Sequence, residues 1–525
     1  MQNLYRFVFV ISKATHKYTG LVFLLYFLLM GITGVLINHP SLLRGITVPA
    51  ALVPDIYHYT NWNRMALREA VFSKRDTTAQ TFYIAGKAGI FKSVNGGKSF
   101  DEMSDGLPTG AYNQDTRALL LVEKHNSEIL LAGTRSGLYF CDPDNRKWQA
   151  VADKELQKEE IIDLVQAGNR IYAFTAYNGY LANADQTELT FNKIPLLSSE
   201  PASNKVALFR FLLKLHDGSV LGFPGKLFVD AIGVILLFLS LSALYIWYIP
   251  WSRKKFRNRP KPRFFKFFHK YHLKFGIYSA FFLLIIALTG IFVRPPLLIS
   301  IIKVEIPSWL YPQYGDGNWQ SKIQKAIYLE DENSLLLATK NGFYKSPADL
   351  SRPFSKEEIK VPVHGMGAFV LEPLENSRLL VGSFSGIYVW DRIKEQGLDL
   401  QGGPLPPGRK GRIKPGAMAA GVVVQDGQPL FWAEYRKGIQ ILNNNKIQAL
   451  QMPKSIEKSG MSLWHFLFEC HNGRIFRPLL GKYTWLFVPL GGIILVLSVF
   501  TGSYDWLFRR VLARKKRPNM VGGER

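Results

Sequence analysis

HKYTGLVFLLYFLLMGITG, residues 16–34, and HLKFGIYSAFFLLIIALTG, residues 272–290, are two copies of one pattern set 256 residues apart. Each runs His-x-x-x-Gly, then an apolar span, then Thr-Gly, so His16, Gly20 and Gly34 match His272, Gly276 and Gly290. A second pair of copies precedes two further apolar runs. LHDGSVLGFPGKLFVD (215–230) holds His216 and Lys226, and ECHNGRIFRPLLGKYTW (469–485) holds His471 and Lys482. Titratable side chains beside lipid are costly and concentrate at functional places. Four histidines in two matched pairs therefore mark the chain's chemistry.

Working outward, four apolar runs are read as membrane-spanning helices: Tyr18–Ile37, Leu227–Ile249, Phe275–Val293 and Tyr483–Tyr504. Each has roughly the 20 residues a helix needs to cross a hydrocarbon core. The first is read as a retained anchor, since no small-residue cleavage site follows it. The net charge of +25 is concentrated beside these runs, with ten Lys/Arg and no acidic residue in Trp251–Lys274 and a basic tail after Trp506. Short basic segments next to spans stay in the cytoplasm. The expected order is then a cytoplasmic start and first span (1–39), an outer segment (40–202), and an interfacial helix with the second span (203–250). A basic loop (251–274), the third span (275–295), an outer segment (296–459), an interfacial helix with the fourth span (460–507) and a cytoplasmic tail (508–525) follow. Charge explained by topology and anionic headgroups gives no reason to expect a nucleic-acid partner. The two cysteines, Cys141 and Cys470, form no Cys-x-x-Cys, which excludes c-type haem attachment and an iron–sulfur set. A disulfide between them is compatible with an oxidising compartment.

The two outer segments carry three strand pairs each: 82–93, 129–142 and 171–183, then 335–346, 379–391 and 430–442. Each is a β-branched or aromatic run, a turn ending in Gly, and a second run, which signals a hairpin. The turn glycines Gly89, Gly137 and Gly179 are spaced 48 and 42, and Gly342, Gly386 and Gly438 are spaced 44 and 52. A period in the forties suits propeller blades of about four strands. SVNGGKSF (93–100) looks like the Asp-box turn of sialidase-type propellers, with Asn95 in place of the Asp. Three blades leave exposed edges. The expected fold is a membrane α plus β protein, a four-helix bundle from an internal two-fold repeat with a β-propeller of about six blades. Two separate small β domains are the alternative.

The doubled HKYTG…ITG and HLKFG…LTG helices, with the LHDG…GK and CHNG…GK entries, resemble the PepSY-associated transmembrane family of bacterial inner-membrane proteins. The resemblance covers the spans and their flanks, about a third of the chain. It implies an inner-membrane protein of the type that includes haem-binding reductases passing electrons outward to ferric siderophores. Relatives place PepSY-type α+β segments outside, where this chain has blade-like repeats, so fold and haem carry over better than substrate.

The residues themselves accommodate haem. Positions i and i+4 share a helix face, so His16 is followed along one stripe by Gly20, Leu24, Phe27, Gly31 and Gly34, and His272 by Gly276, Ala280, Leu283, Ala287 and Gly290. Small residues on that stripe leave room for a flat macrocycle, or for close helix packing. Pseudo-symmetry assigns His16 and His272 to one haem b near the cytoplasmic side and His216 and His471 to a second near the outer side. Lys226 and Lys482 would face propionates, or anchor the helices by snorkelling. Structural polar contacts and another metal are the other readings of the histidines. His39 and His269 are reserve ligands. The resulting expectation is an electron-transfer protein, a haem-dependent oxidoreductase. Its donor would be a quinol or a cytoplasmic carrier, and its acceptor a periplasmic ferric chelate. A tethered non-enzymatic binding or sensing module is the rival.

Overall fold

The computed structural model describes residues 2–124, 127–186, 188–200, 204–255, 263–311, 323–405, 417–442 and 450–512. His125, residues 256–262 of the basic loop and the tail from 513 lie outside the described residues. The chain forms two compact units. One comprises Met1–Leu43, Ser203–Gly315 and Trp464–Arg525, and the other Arg44–Ala202 and Asp316–Leu463. Residues 296–311, placed with the outer segment on sequence, fall in the helical unit. There Glu305–Pro307 pairs antiparallel with Lys205–Ala207.

In the helical unit, Ser219–Lys255, Phe265–Phe292 and Arg474–Arg510 are each long and apolar enough to cross a membrane. The fourth candidate span is a bent pair, Leu4–Val22 and Leu24–Ile37, at 63°. The first helix thus starts at Gln2, well before the expected Tyr18. Its bend follows Thr19, whose hydroxyl donates back to the Thr15 carbonyl at 2.8 Å, and Gly20. A back-bonding hydroxyl and a missing side chain both favour bending. Beyond the bend the backbones run close: a Cβ on Gly31 would meet Leu237 at 2.8 Å, and one on Gly233 would meet Val35 at 2.8 Å. Pro489 sits in the first turn of Phe487–Leu507, where its missing N–H costs no helical bond. Two short helices, Leu208–His216 and Leu463–His471, precede the second and fourth spans and end on the expected histidines.

In the other unit, six antiparallel sheets follow one another, at 69–102, 116–150, 163–194, 323–357, 368–398 and 419–441. The first five have four strands and the sixth has three among the described residues. All six expected hairpins form, closed by the pairs Gly86↔Gly89, Thr134↔Gly137, Phe174↔Gly179, Thr339↔Gly342, Ser383↔Gly386 and Glu434↔Gly438. The glycine is needed at Gly137, for example: its φ is +135° and a Cβ there would press on Gln157. Side chains alternate across each strand, so every sheet offers two apolar faces. Adjacent sheets bury these faces in shared clusters, such as Leu131 and Leu138 with Ile171 and Tyr180. Phe82, Ile84 and Phe91 of the first sheet bury theirs against Val423, Phe431 and Ala433 of the sixth, with Trp62 fully buried between them. In the 93–100 turn, Asn95 Oδ1 accepts from the Ser99 N–H at 3.0 Å and Ser93 Oγ from the Gly97 N–H at 2.9 Å. Asn95 thus does locally what an aspartate would do.

Candidate functional site

Two imidazole pairs stand in the helical unit. The ring centroids of His16 and His272 lie 6.3 Å apart with planes at 73°. Those of His216 and His471 lie 6.2 Å apart at 60°. On the third span His272 and Gly290 are 18 residues apart, about 27 Å of helix at 1.5 Å per residue. His216 lies against Gly290, where a Cβ would fall 3.0 Å from its ring, and His471 likewise borders Gly34. The pairs therefore occupy opposite ends of the helices, a separation close to the thickness of a hydrocarbon core.

The hydrogen bonds settle which ring nitrogen carries the proton. His16 Nδ1 lies 2.9 Å from the Ser498 carbonyl and His216 Nδ1 3.0 Å from the Ile286 carbonyl. A carbonyl only accepts, so both Nδ1 atoms donate. His272 Nδ1 lies 2.8 Å from Ser242 Oγ, whose own proton goes to the Leu239 carbonyl. His471 Nδ1 lies 2.8 Å from Thr33 Oγ1, whose proton goes to the Leu29 carbonyl at 2.6 Å. With their protons on those carbonyls, the hydroxyls accept from Nδ1. All four imidazoles are thus oriented through Nδ1–H, and each Nε2 keeps its lone pair with no protein hydrogen bond among the described residues. This is the arrangement of metal-binding histidines, whose second nitrogen fixes tautomer and ring orientation.

Two metal–imidazole bonds of about 2.0–2.1 Å in line, with each ring centre about 1.1 Å behind its nitrogen, require centroids roughly 6.3 Å apart. Both pairs have that spacing. Among the described residues no group of three or more His, Cys, Asp or Glu gathers in a metal-holding arrangement. Each pair thus presents two donors, and a metal held there would take its remaining ligands from another source.

The orienting hydroxyls were not singled out on sequence. Thr33 and Thr289 are 256 residues apart, as are Ser242 and Ser498. Thr289 Oγ1 lies 3.1 Å from His216 Nδ1, and Ser498 supplies the carbonyl to His16. The offset that relates His16 to His272 would have found these four.

His216 and His471 open on a cavity of about 370 Å³, lined by apolar side chains and by Gly34, Gly290, Asp230 and Arg294 among others. That volume is in the range of small-molecule sites. Lys226 and Lys482 do not line it; Lys482 sits 5.3 Å over the Tyr483 ring. The cation at this cavity is Arg294, which donates to the Asn472 carbonyl at 3.0 Å. His39 commits Nε2 to Asp230 at 2.7 Å, and Asn38 donates to the other oxygen at 2.9 Å. His269 stacks on Phe265. His465 lies 3.3 Å from Glu469. Among the described residues, a Cβ on Gly20 would meet nothing within 4 Å, and one on Gly276 only Leu239 at 3.9 Å. Cys141 and Cys470 are both buried free thiols, so the disulfide considered on sequence is not made.

A family model described as the PepSY-associated TM region matches residues 13–509. No curated protein matches. Among solved structures, the extracellular domain of the putative one component system BT4673 from B. thetaiotaomicron is 10% identical, with 75% of this chain and 41% of that chain covered and a TM-score of 0.36. PorZ of Porphyromonas gingivalis gives 10%, 74%, 32% and 0.32. The N-terminal domain of Nup159 gives 12%, 75%, 94% and 0.31. The chain spans less than half the length of the first of these, and likenesses at such scores carry neither fold nor function across.

Proposed function

The chain belongs to the PepSY-associated TM family, and on that premise we propose that it is an inner-membrane electron-transfer protein holding two haems b. The observation that carries this reading is the doubled imidazole spacing, 6.3 Å and 6.2 Å, with every Nδ1 engaged. His16 and His272 would hold one haem, and His216 and His471 the other. Haem suits two imidazoles standing at that spacing, because the porphyrin would provide the four remaining ligands. When bound it supplies one-electron carriage between the two faces of the membrane.

The chain's own residues bind, orient and shield. Ser242, Ser498 and Thr33, with the Ile286 carbonyl, hold the four imidazoles in one tautomer, so no ring has to turn on ligation. Phe27, Leu283 and Leu495 keep water from the cavity beside His216 and His471, and Arg294 provides a cation for an acidic substituent. The basic loop and tail support a cytoplasmic side for both termini. We read the six sheets as blades of one periplasmic propeller, because the first and sixth share a core. The donor is then a quinol or cytoplasmic carrier, and the acceptor a ferric chelate on the propeller side.

The test reconstitutes the full chain in lipid vesicles loaded with ferric citrate and supplies a membrane-impermeant reductant outside. The expected result is reduction of the trapped iron much faster than in empty vesicles. Equal rates with and without a haem-replete chain would defeat the proposal.

A further inference from the structure

In the six-sheet unit, the turn between the second and third strands of each sheet lies at the same end as the start of the first strand. Backbone bonds fix this: the Arg135 N–H donates to the Asp115 carbonyl, Ile323 to Ala176 and Tyr435 to Met418. The first strands run side by side in one direction. Arg68, at the head of the first sheet, reaches the Thr116 carbonyl at the head of the second at 2.8 Å, and Gln324 of the fourth reaches Met366 at the head of the fifth. All six turns therefore gather at one end.

The residue two places before the turn glycine is Lys87, Arg135, Tyr177, Lys340, Phe384 and Arg436 in sheet order, four cations and two aromatics. The turns at the other end mix both signs, with Asp331, Glu332, Glu375 and Asp426 beside Lys74, Arg75, Lys98 and Arg146. Inside the cationic end, Arg68 and Arg135 share Asp115, and Arg117 and Arg135 share Glu160. Lys87 stands beside them, and the same end also holds Glu159, which accepts from Asn178, and Glu434, which accepts from the Arg436 N–H. Arg117 Nε is buried there with no hydrogen-bond partner. Burial pushes the Lys87 ammonium down to about 7, and Arg68, Arg135 and Arg64 press the same way against Asp115. The guanidiniums are held flat by aromatics: Arg135 lies 4.8 Å over Tyr112, and Arg64 lies 4.9 Å over Tyr57 and 5.6 Å over Tyr435. Cations pre-oriented in this way favour an anionic ligand.

We propose that this turn-bearing end is a binding site for a multiply charged anionic chelate, selected by charge. The inference rests on the electron-transfer reading for its biological sense, and names the charge class of the acceptor and the place that receives it. Lys340 and Arg436 are exposed and meet the ligand first; Arg135 and Arg117 contact it deeper.

The experiment measures binding of the trianionic ferric tris-catecholate complex to the oxidised full chain in zwitterionic-lipid nanodiscs, by quenching of tryptophan fluorescence. A neutral ferric tris-hydroxamate is the comparison ligand. Reversing an exposed charge at the site, Lys340→Glu or Arg436→Glu, is expected to weaken the trianion about 10-fold each at low salt. Lys98→Glu, at the opposite end, is expected to change it less than about 2-fold. The neutral complex should bind at least about 10-fold more weakly. Equal binding of both complexes, or equal effects of the three reversals, overturns the proposal. So does loss of chelate binding in nanodiscs of anionic phospholipid, which would give the cationic end to headgroups. The readout is binding, not reduction, so a haem-free chain that still binds fails only the electron-transfer reading, and a haem-loaded chain that does not bind fails only this one.

Discussion

The two units keep polar groups away from water in opposite ways. Around Lys325 in the six-sheet unit, buried charges consume one another: Lys325 Nζ lies 3.3 Å from Asp163 and 3.4 Å from Glu69, and Asp163 also accepts from the Ala326 N–H at 2.7 Å. In the helical unit, each principal imidazole has one nitrogen fixed and the other left with a lone pair beside a second imidazole. Mutual satisfaction marks a structural device, because nothing is left to bind. A nitrogen kept available in a costly place marks a site.

The sharpest way to break this contrast is to delete one imidazole. His471→Ala or His216→Ala should remove one of two haems per chain and leave the other, as read by pyridine haemochrome, and His16→Ala or His272→Ala should remove the other one. Loss of both, or of neither, would undo the pairing. Next in size is Lys325→Met, which leaves Asp163 and Glu69 without their cation. Breaking one partner out of a buried pair costs about 3–5 kcal/mol, so thermal unfolding of the six-sheet unit should move down while haem content stays at two.

Smaller effects sharpen the comparison. Thr33→Val removes only the acceptor of the His471 Nδ1–H, and loss of such orienting partners typically weakens metal binding about 10–100-fold. Haem loss from the His216–His471 pair should speed up by that order while the other pair is unaffected, and Ser242→Ala should do the reverse. Haem transfer to apomyoglobin, followed spectrally, would read both. The least is a pH effect. Burial pushes the Glu372 carboxyl up from 4.5 to about 7, with Lys325 opposing and Asp163 adding to the rise. The folded unit then keeps a proton that the unfolded chain has released. Stability contributed by this group is present below about 4.5 and declines as pH climbs toward about 7, with a slope no steeper than about 1.4 kcal/mol per pH unit. Glu372→Gln should flatten that decline; an unchanged melting profile between pH 4.5 and 7 would exclude it.

Much of this was readable in the chain because it depends on local periodicity. Offsets of 256 residues between His16 and His272 and 255 between His216 and His471 picked out the histidines whose rings meet, and the turn glycines located all six hairpins. What stayed hidden depends on cross-helix contact. Ser242 and Ser498 follow the 256-residue offset, yet serine in an apolar helix carries no signal until helix rotation turns it toward a ring. Lys226 and Lys482 kept the repeat and drew attention, while the cation at the cavity, Arg294, has Asn38 as its repeat partner and so broke the pattern. His39 resembled a ligand until Asp230, one turn inside another helix, took its Nε2. The bend at Phe23 was missed because apolar content sums over a helix and does not register a change of direction.

The central claim is that each imidazole pair grips one iron in line. Electron paramagnetic resonance of the oxidised, haem-replete full chain, with iron and protein counted on the same sample, tests it most directly. Two low-spin centres of bis-imidazole character and two irons per chain are expected. High-spin iron, or a purified chain that stays colourless with haem in supply, would contradict it.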